Sequence, residues 1–174
     1  MKHLTTEEIE TGIDEIIKSP KDNGVLKLIV CRPKEDEREV LEIGELDLNK
    51  GLVGDNWLTE DANIEAQLAI MNSRIVSLLA QDENRWQLAG DQLFIDLDLT
   101  DENLPAGTRL AIGSAIIEVT PAPHNGCKKF VERFGLDAMK FVNSTVGKQL
   151  HLRGIYAKVI QSGTIRQGDV VKKV

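Results

Sequence analysis

The sequence has few of the residues that build a disulfide-stapled or zinc-stabilised fold. Its 174 residues include two cysteines, Cys31 and Cys127, and three histidines. No CxxC pair and no Cys/His quartet is present, which excludes the usual structural zinc site. Two cysteines far apart in the chain fit reduced thiols better than a disulfide framework, so we expect a cytoplasmic protein.

Long apolar runs are also missing. No segment approaches the roughly 20 apolar residues that cross a bilayer, and the N-terminal residues turn acidic without a signal-peptide core. We therefore expect no membrane association. The net charge of −7 argues against a nucleic-acid partner, because phosphate backbones attract basic surfaces.

Several familiar site signatures are absent as well. The chain has no P-loop, no dinucleotide-binding fingerprint, no HExxH and no GxSxG motif. A calcium loop starting at Asp96 fails, because its sixth position is Asp101 instead of Gly and its twelfth is Gly107 instead of Glu. Pyridoxal phosphate binding is likewise not expected on this domain alone.

The apolar patterning predicts a mainly β fold with a few inserted helices. Helices are predicted after Thr5, after Asn72 or Ser73, and from Cys127 onward with a break at Gly135. Regular helical crossovers do not separate the predicted strands, so a closed or nearly closed β-barrel is favoured. We expect a single domain over residues 1–174, with 1–20 as a helical appendage. About eight strands are predicted, at 24–32, 38–46, 67–71, 93–99, 109–112, 115–120, 154–161 and 169–173.

Cys127 is the strongest candidate for chemistry. It follows a Pro- and Gly-rich turn and opens a basic amphipathic helix, a position that favours thiolate over thiol. His124, three residues earlier, either acts on the thiol, by orienting or deprotonating it, or satisfies a turn carbonyl. The helical spacing of Cys127, Val131 and Phe134 also allows the thiol to begin a core stripe, so a reactive and a structural role are both open.

Five other residues are candidates for contacts with a ligand. Lys128 and Arg133 either receive an anion near the helix start or form a solvated helix face. Arg153, at the entry to a strand, is a phosphate clamp or a surface ion pair. Asp55 lies in a glycine-flanked loop that suits either a ligand or an Asx turn. Asn72 is a helix cap or a ligand contact.

Several short motifs follow one another between residues 89 and 169. They are Ala89-Gly90-Asp91-Gln92-Leu93, Leu104-Pro105-Ala106-Gly107-Thr108, Gly126-Cys127-Lys128-Lys129-Phe130, Arg133-Phe134-Gly135, Leu152-Arg153-Gly154-Ile155-Tyr156 and Gly163-Thr164-Ile165-Arg166-Gln167-Gly168-Asp169. Their order resembles the MOSC domain, named after the C-terminal domain of molybdenum cofactor sulfurases. The segment 25–57 is similar to the N-terminal part of stand-alone bacterial members. The resemblance covers most of the chain, and the order and spacing of the motifs are more specific than any single motif.

This resemblance implies a β-rich barrel whose cysteine accepts sulfur or ligates molybdenum, and Cys127 matches that position. It implies a molybdenum cofactor (molybdopterin) as ligand, whose phosphate would contact Arg153 and Lys128. Many members have Pro before the cysteine, where this chain has Gly126.

Three functions are open. The chain either binds the cofactor or carries sulfur on Cys127, with a sulfurtransferase as partner. Alternatively it is a molybdenum-dependent reductase of N-hydroxylated compounds served by a separate electron-donor protein. The third possibility is an interaction module with a structural cysteine.

Overall fold

A seven-stranded closed barrel forms the centre of the computed structural model, which describes residues 1–174. The strand order is β11-β7-β8-β9-β5-β6-β1, and antiparallel pairing of Gly24 with Val171 joins β1 to β11 and closes the barrel. Only β5 and β6 run parallel among the neighbouring pairs, so the barrel is mixed. The predicted β-barrel is confirmed. Its strands are β1 (Gly24–Cys31), β5 (Leu68–Asn72), β6 (Leu93–Asp96), β7 (Arg109–Ile112), β8 (Ala115–Val119), β9 (Ile155–Gln161) and β11 (Val170–Lys173).

Four further strands lie outside the barrel ring. β2 (Glu39–Leu41) pairs with β1, and a separate sheet joins β10 (Gly163–Arg166), β3 (Ile43–Asp47) and β4 (Gly51–Leu52). The single strand predicted at 38–46 was wrong, because the chain changes sheets at Glu42. The two strands predicted last, 154–161 and 169–173, do not pair with each other, since β10 intervenes and β11 pairs with β7 and β1.

The helices gather on one side of the barrel. Asn72 caps α3 by accepting a hydrogen bond from the Arg74 amide, as the sequence predicted. The predicted break at Gly135 is confirmed, since its φ of +97° separates α4 from α5. The helices are α1 (Thr6–Thr11), α2 (Ile13–Ile17), α3 (Ser73–Ala80), α4 (Lys128–Phe134), α5 (Leu136–Val142) and α6 (Thr145–Gln149), with 3-10 turns at Ile64–Ala66 and Glu83–Ala89. None of them is long and apolar enough to span a membrane.

Two apolar cores follow from the alternation of side chains along the strands. In β1, Leu26 and Ile29 fill the barrel interior, whereas Leu28 and Val30 face the helix layer. A register shift between Leu26 and Leu28 changes which positions face inward. The outer core also takes in Ile9 of α1, so the N-terminal helices are packed against the barrel.

One end of the barrel collects four chain segments that build the site. The end of β1, the start of β6, the end of β8 and the start of β9 meet there, because Ile29 pairs with Leu93 and Val119 with Ala157. The segment 120–127 then crosses this end on its way from β8 to α4. Residues far apart in the chain are thereby brought around a single opening.

Candidate functional site

Cys127 lies at the mouth of a cleft of about 470 Å³ at this end of the barrel, here called the Cys127 cleft. The residue is exposed and forms the N-cap of α4. The alternative that its thiol belongs to the core is therefore wrong, although Phe134 farther along the same helix is buried. An exposed thiol in a cleft is available to a ligand or a reagent.

Gly126 fixes the backbone next to this thiol. Its amide donates to Asn143 Oδ1 over 2.8 Å, and the Asn143 amide group donates back to the Gly126 carbonyl over 3.1 Å. An added Cβ at Gly126 would lie 3.1 Å from Val142 and 3.2 Å from Met139. A proline at this position would lose the amide donor, so the glycine is part of how this chain attaches the segment to α5.

His124 belongs to a buried ionic group instead of contacting the thiol. Its Nε2 lies 3.2 Å from Asp91 Oδ2, and Arg153 Nη1 donates to Asp91 Oδ1 over 2.7 Å. Arg153 Nη2 also donates to the Ala89 carbonyl over 3.0 Å. The imidazole stacks on Tyr156 with ring centroids 4.3 Å apart. No hydrogen bond joins His124 to Cys127, so the predicted direct activation of the thiol is not built into this geometry.

The charges in this group set its protonation. Burial alone would raise the pKa of Asp91, but the charge of Arg153 and the hydrogen bond from His124 hold that pKa below its usual value. Burial, together with the charges of Arg153 and Arg32, lowers the pKa of His124 despite its hydrogen bond to Asp91. The imidazole is therefore neutral near pH 7, and its Nε2–H donates to Asp91 Oδ2 while Nδ1 keeps its lone pair.

Asp55 supports the cleft from behind without lining it. Its side chain is fully buried and accepts from Arg32 Nε over 3.0 Å and from Arg32 Nη2 over 2.9 Å. It also accepts from the amides of Arg32 and Trp57. This bidentate pairing aims the partly exposed Arg32 and the neighbouring Trp57 at the cleft. A direct ligand contact by Asp55 does not fit its enclosed position.

Arg38, Lys129 and Arg133 form a second group of cations in the cleft, here called the cationic wall. Arg133 Nη1 donates to the Leu88 carbonyl over 2.7 Å, and Arg38 lies close by on the other side of Gly90. An added Cβ at Gly90 would lie 3.3 Å from Arg38 Nη2 and 3.7 Å from Arg133 Nη1. Burial, together with the charges of Arg133 and Arg32, lowers the pKa of Arg38. Mutual repulsion of this kind makes the wall receptive to an anion.

Two predicted contact residues lie elsewhere. Asn72 is buried on another face, where its amide group donates to Ser19 Oγ and the Leu97 carbonyl while its oxygen caps α3. All its polar groups are thus used for structure. Lys128 is exposed and does not line the cleft. The cleft brings together Cys127, His124, Arg133 and Arg153 of the predicted set.

Sequence reasoning missed Asp91, Arg32, Arg38 and Tyr156 as site residues. Asp91 and Tyr156 stood within the motifs that carry the MOSC resemblance, and that was the available signal. Arg32 and Arg38 flank an acidic turn and carried no local signature. Their role depends on the meeting of β1 with the start of β6, which only the fold reveals.

The site has no self-contained metal cage. No three His, Cys, Asp or Glu side chains cluster closely enough to hold a metal ion. A metal bound to Cys127 would take its other ligands from a cofactor.

Comparison with known proteins assigns the family and the fold. The model of the MOSC domain matches residues 62–172, and the family is associated with the molybdenum cofactor. No curated protein matches the sequence. The chain is similar to the crystal structure of the YUAD protein from Bacillus subtilis, with a TM-score of 0.61 and 16% identity over 86% of this chain and 94% of that one. It is also similar to the crystal structure of YiiM from Escherichia coli, with a TM-score of 0.57 and 21% identity over 86% and 69% of the two chains.

Proposed function

Because the chain belongs to the MOSC domain family, we propose that its Cys127 cleft binds a molybdenum–pterin cofactor, carries sulfur on Cys127, or does both in turn. The observation that carries this proposal is an exposed thiol at the mouth of a cleft lined by four arginines. A thiolate is a soft ligand that suits molybdenum, and guanidinium groups suit phosphate.

The residues of the cleft fit such a cofactor in three respects. Cys127 offers a free thiol that is not part of a disulfide. The Nε atom of Arg38 is buried without a hydrogen-bond partner, and Gly90 leaves its guanidinium the space that a side chain would fill. Trp57 and Tyr156 present aromatic surfaces to the same cleft, and aromatic surfaces suit a flat pterin ring.

We assign roles accordingly. Cys127 would ligate the metal, and Arg38 and Arg133 would hold the phosphate. When bound, the cofactor supplies redox-active molybdenum. Neutral His124, held by Asp91, offers Nδ1 as a proton acceptor at the side of the cleft. Arg153, which donates a hydrogen bond to Asp91, keeps that carboxylate ionised.

Sulfur carriage would use the same thiol. The Cys127 thiolate attacks the outer sulfur of a persulfide on a sulfurtransferase, the donor's S–S bond breaks, and the donor leaves as a thiolate. Cys127 then holds the persulfide. The acceptor step needs no oxidant, since the sulfur arrives already oxidised. An exposed reduced thiol of this kind suits the cytoplasm, where we propose that the protein works.

Reconstitution tests the proposal. Protein without cofactor is mixed with cofactor released from a molybdenum enzyme, separated by gel filtration and assayed for molybdenum and pterin. We expect retention by the wild type and by Cys31→Ala, which removes the buried thiol, and loss in Cys127→Ser. In parallel, intact-mass measurement after exposure to a persulfide donor should show one added sulfur that Cys127→Ser lacks. Absence of both results in the wild type would refute the proposal.

A further inference from the structure

The loop between β1 and β2 places carboxylates where the cleft would receive an anion. Glu35 Oε1 and Asp36 Oδ1 each lie 3.1 Å from Lys129 Nζ, and Asp36 Oδ1 lies 3.5 Å from Arg133 Nη2. One carboxylate oxygen of Asp36 thus lies against two cations of the cleft wall. That is the arrangement a ligand oxyanion would adopt there.

We propose that the acidic tip, residues Pro33 to Glu37, is a tethered competitor that covers the cationic wall and must be displaced by an oxyanion-bearing ligand such as a phosphomonoester or a diphosphate. Residues of the acidic tip and of the wall line the same cleft, together with Cys127. This inference concerns the same cleft as the proposed function. It does not require the ligand to be the cofactor, because any ligand with such an oxyanion would compete with the acidic tip.

The contacts of the acidic tip are weak enough to be displaced. The side chains of Glu35 and Asp36 are 80% and 65% exposed, and that of Lys129 is 47% exposed. Ion pairs with this much solvent contact add little stability. The partners beneath them are more enclosed, since the Arg133 side chain is only 21% exposed. A free multivalent anion therefore gains more from the wall than the acidic tip does.

The backbone of the acidic tip also bears on whether the tip can be displaced. Asp36 has a φ of +61°, the left-handed region that favours glycine and that aspartate tolerates at some cost. A hydrogen bond from the Glu37 amide to the Lys34 carbonyl closes this turn locally, and the ion pairs hold the turn against α4. Breaking the ion pairs therefore frees the two carboxylates from α4 without opening the turn.

Charge counting shows what the acidic tip does to the wall. Arg38, Lys129 and Arg133 carry three positive charges, against two negative charges from Glu35 and Asp36. Arg32 is already neutralised by Asp55. Removing the charges of Glu35 and Asp36 therefore leaves three uncompensated cations that line the cleft with Cys127.

The test is calorimetric titration of the whole protein, free of cofactor, with inorganic pyrophosphate at fixed ionic strength. The double variant Glu35→Gln/Asp36→Asn should bind about three- to tenfold more tightly than the wild type. The matched control is Glu37→Gln/Glu39→Gln, which changes the net charge equally on the same hairpin but removes no ion pair to α4. It should bind like the wild type, and Arg133→Gln should bind more weakly than either.

A second readout uses Cys127 as a reporter. Alkylation of Cys127 by the anion iodoacetate should accelerate in the double variant by a similar factor, whereas alkylation by neutral iodoacetamide should not. Equal pyrophosphate affinity in wild type and double variant, equal tightening in the control, or no binding by any of them would each overturn the inference. Retention of cofactor is measured separately, in the reconstitution assay. The two experiments therefore distinguish a failure of the competitor inference from a failure of the proposed function.

Discussion

Replacing Asp91 with asparagine should destabilise the protein more than any other single charge removal at the site. The carboxylate is fully buried and pairs with Arg153 over 2.7 Å, and the Arg153 side chain is only 9% exposed. Asparagine keeps the shape but leaves a buried guanidinium without its counter-charge. Breaking a buried pair in this way costs about 3–5 kcal/mol. For a chain of this size the melting temperature should fall by roughly 6–20 °C.

A double-mutant cycle shows whether that cost comes from the pair. Asp91→Asn/Arg153→Met removes both charges, and we expect it to recover most of the stability that Asp91→Asn loses. Urea denaturation followed by circular dichroism measures each free energy of unfolding. Asp36→Asn is the exposed control and should change that energy by less than about 1 kcal/mol. A cost for Asp91→Asn below about 1 kcal/mol, or additive losses in the cycle, would refute the reasoning.

Three further predictions concern pH, the thiols and a turn. Folding lowers the pKa of His124, so its neutral form contributes fully to stability above the unfolded pKa of about 6.5. That contribution is lost as the pH falls from the unfolded pKa to the folded pKa. The melting temperature should therefore fall less between pH 8 and pH 5 in His124→Gln than in the wild type, and equal decreases would contradict this. Iodoacetamide should label Cys127 in the native protein but reach Cys31 only after denaturation, as peptide mass mapping would show. Gly113→Ala should destabilise the β7–β8 turn more than Gly107→Ala does, because an added Cβ at Gly113 would collide with the Thr164 carbonyl oxygen while Gly107 has open space. Equal melting temperatures for the two variants would contradict that expectation.

The barrel could be predicted from the sequence because its strands carry their own signals. Alternating or β-branched runs between glycine and proline marked all seven barrel strands to within a few residues. The failures arose where partner choice is non-local. Nothing in the 38–46 run shows that β2 pairs with β1 whereas β3 pairs with β10. The two residues of β4 are too few to form a periodic pattern.

The candidate site was predictable only around Cys127. Its helix-start position could be read from the Pro-Gly turn and the basic amphipathic run that follows. The partners of His124 could not be, because Asp91 lies 33 residues away and reaches it through the meeting of β6 with the 120–127 segment. Asn72, at a strand end, and Asp55, in a loop, were plausible ligands. The fold instead uses the Asn72 side chain to cap α3 and the Asp55 side chain to hold Arg32.

The composition of the protein taken directly from a cofactor-producing host tests the central claim, that Cys127 is the working thiol of the cleft. Molybdenum, pterin and sulfane sulfur are measured on the same preparations of wild type and Cys127→Ser. The account predicts that the wild type carries molybdenum with pterin, or a persulfide, and that Cys127→Ser carries neither. A wild type lacking all three, or a Cys127→Ser variant that retains them unchanged, would contradict it.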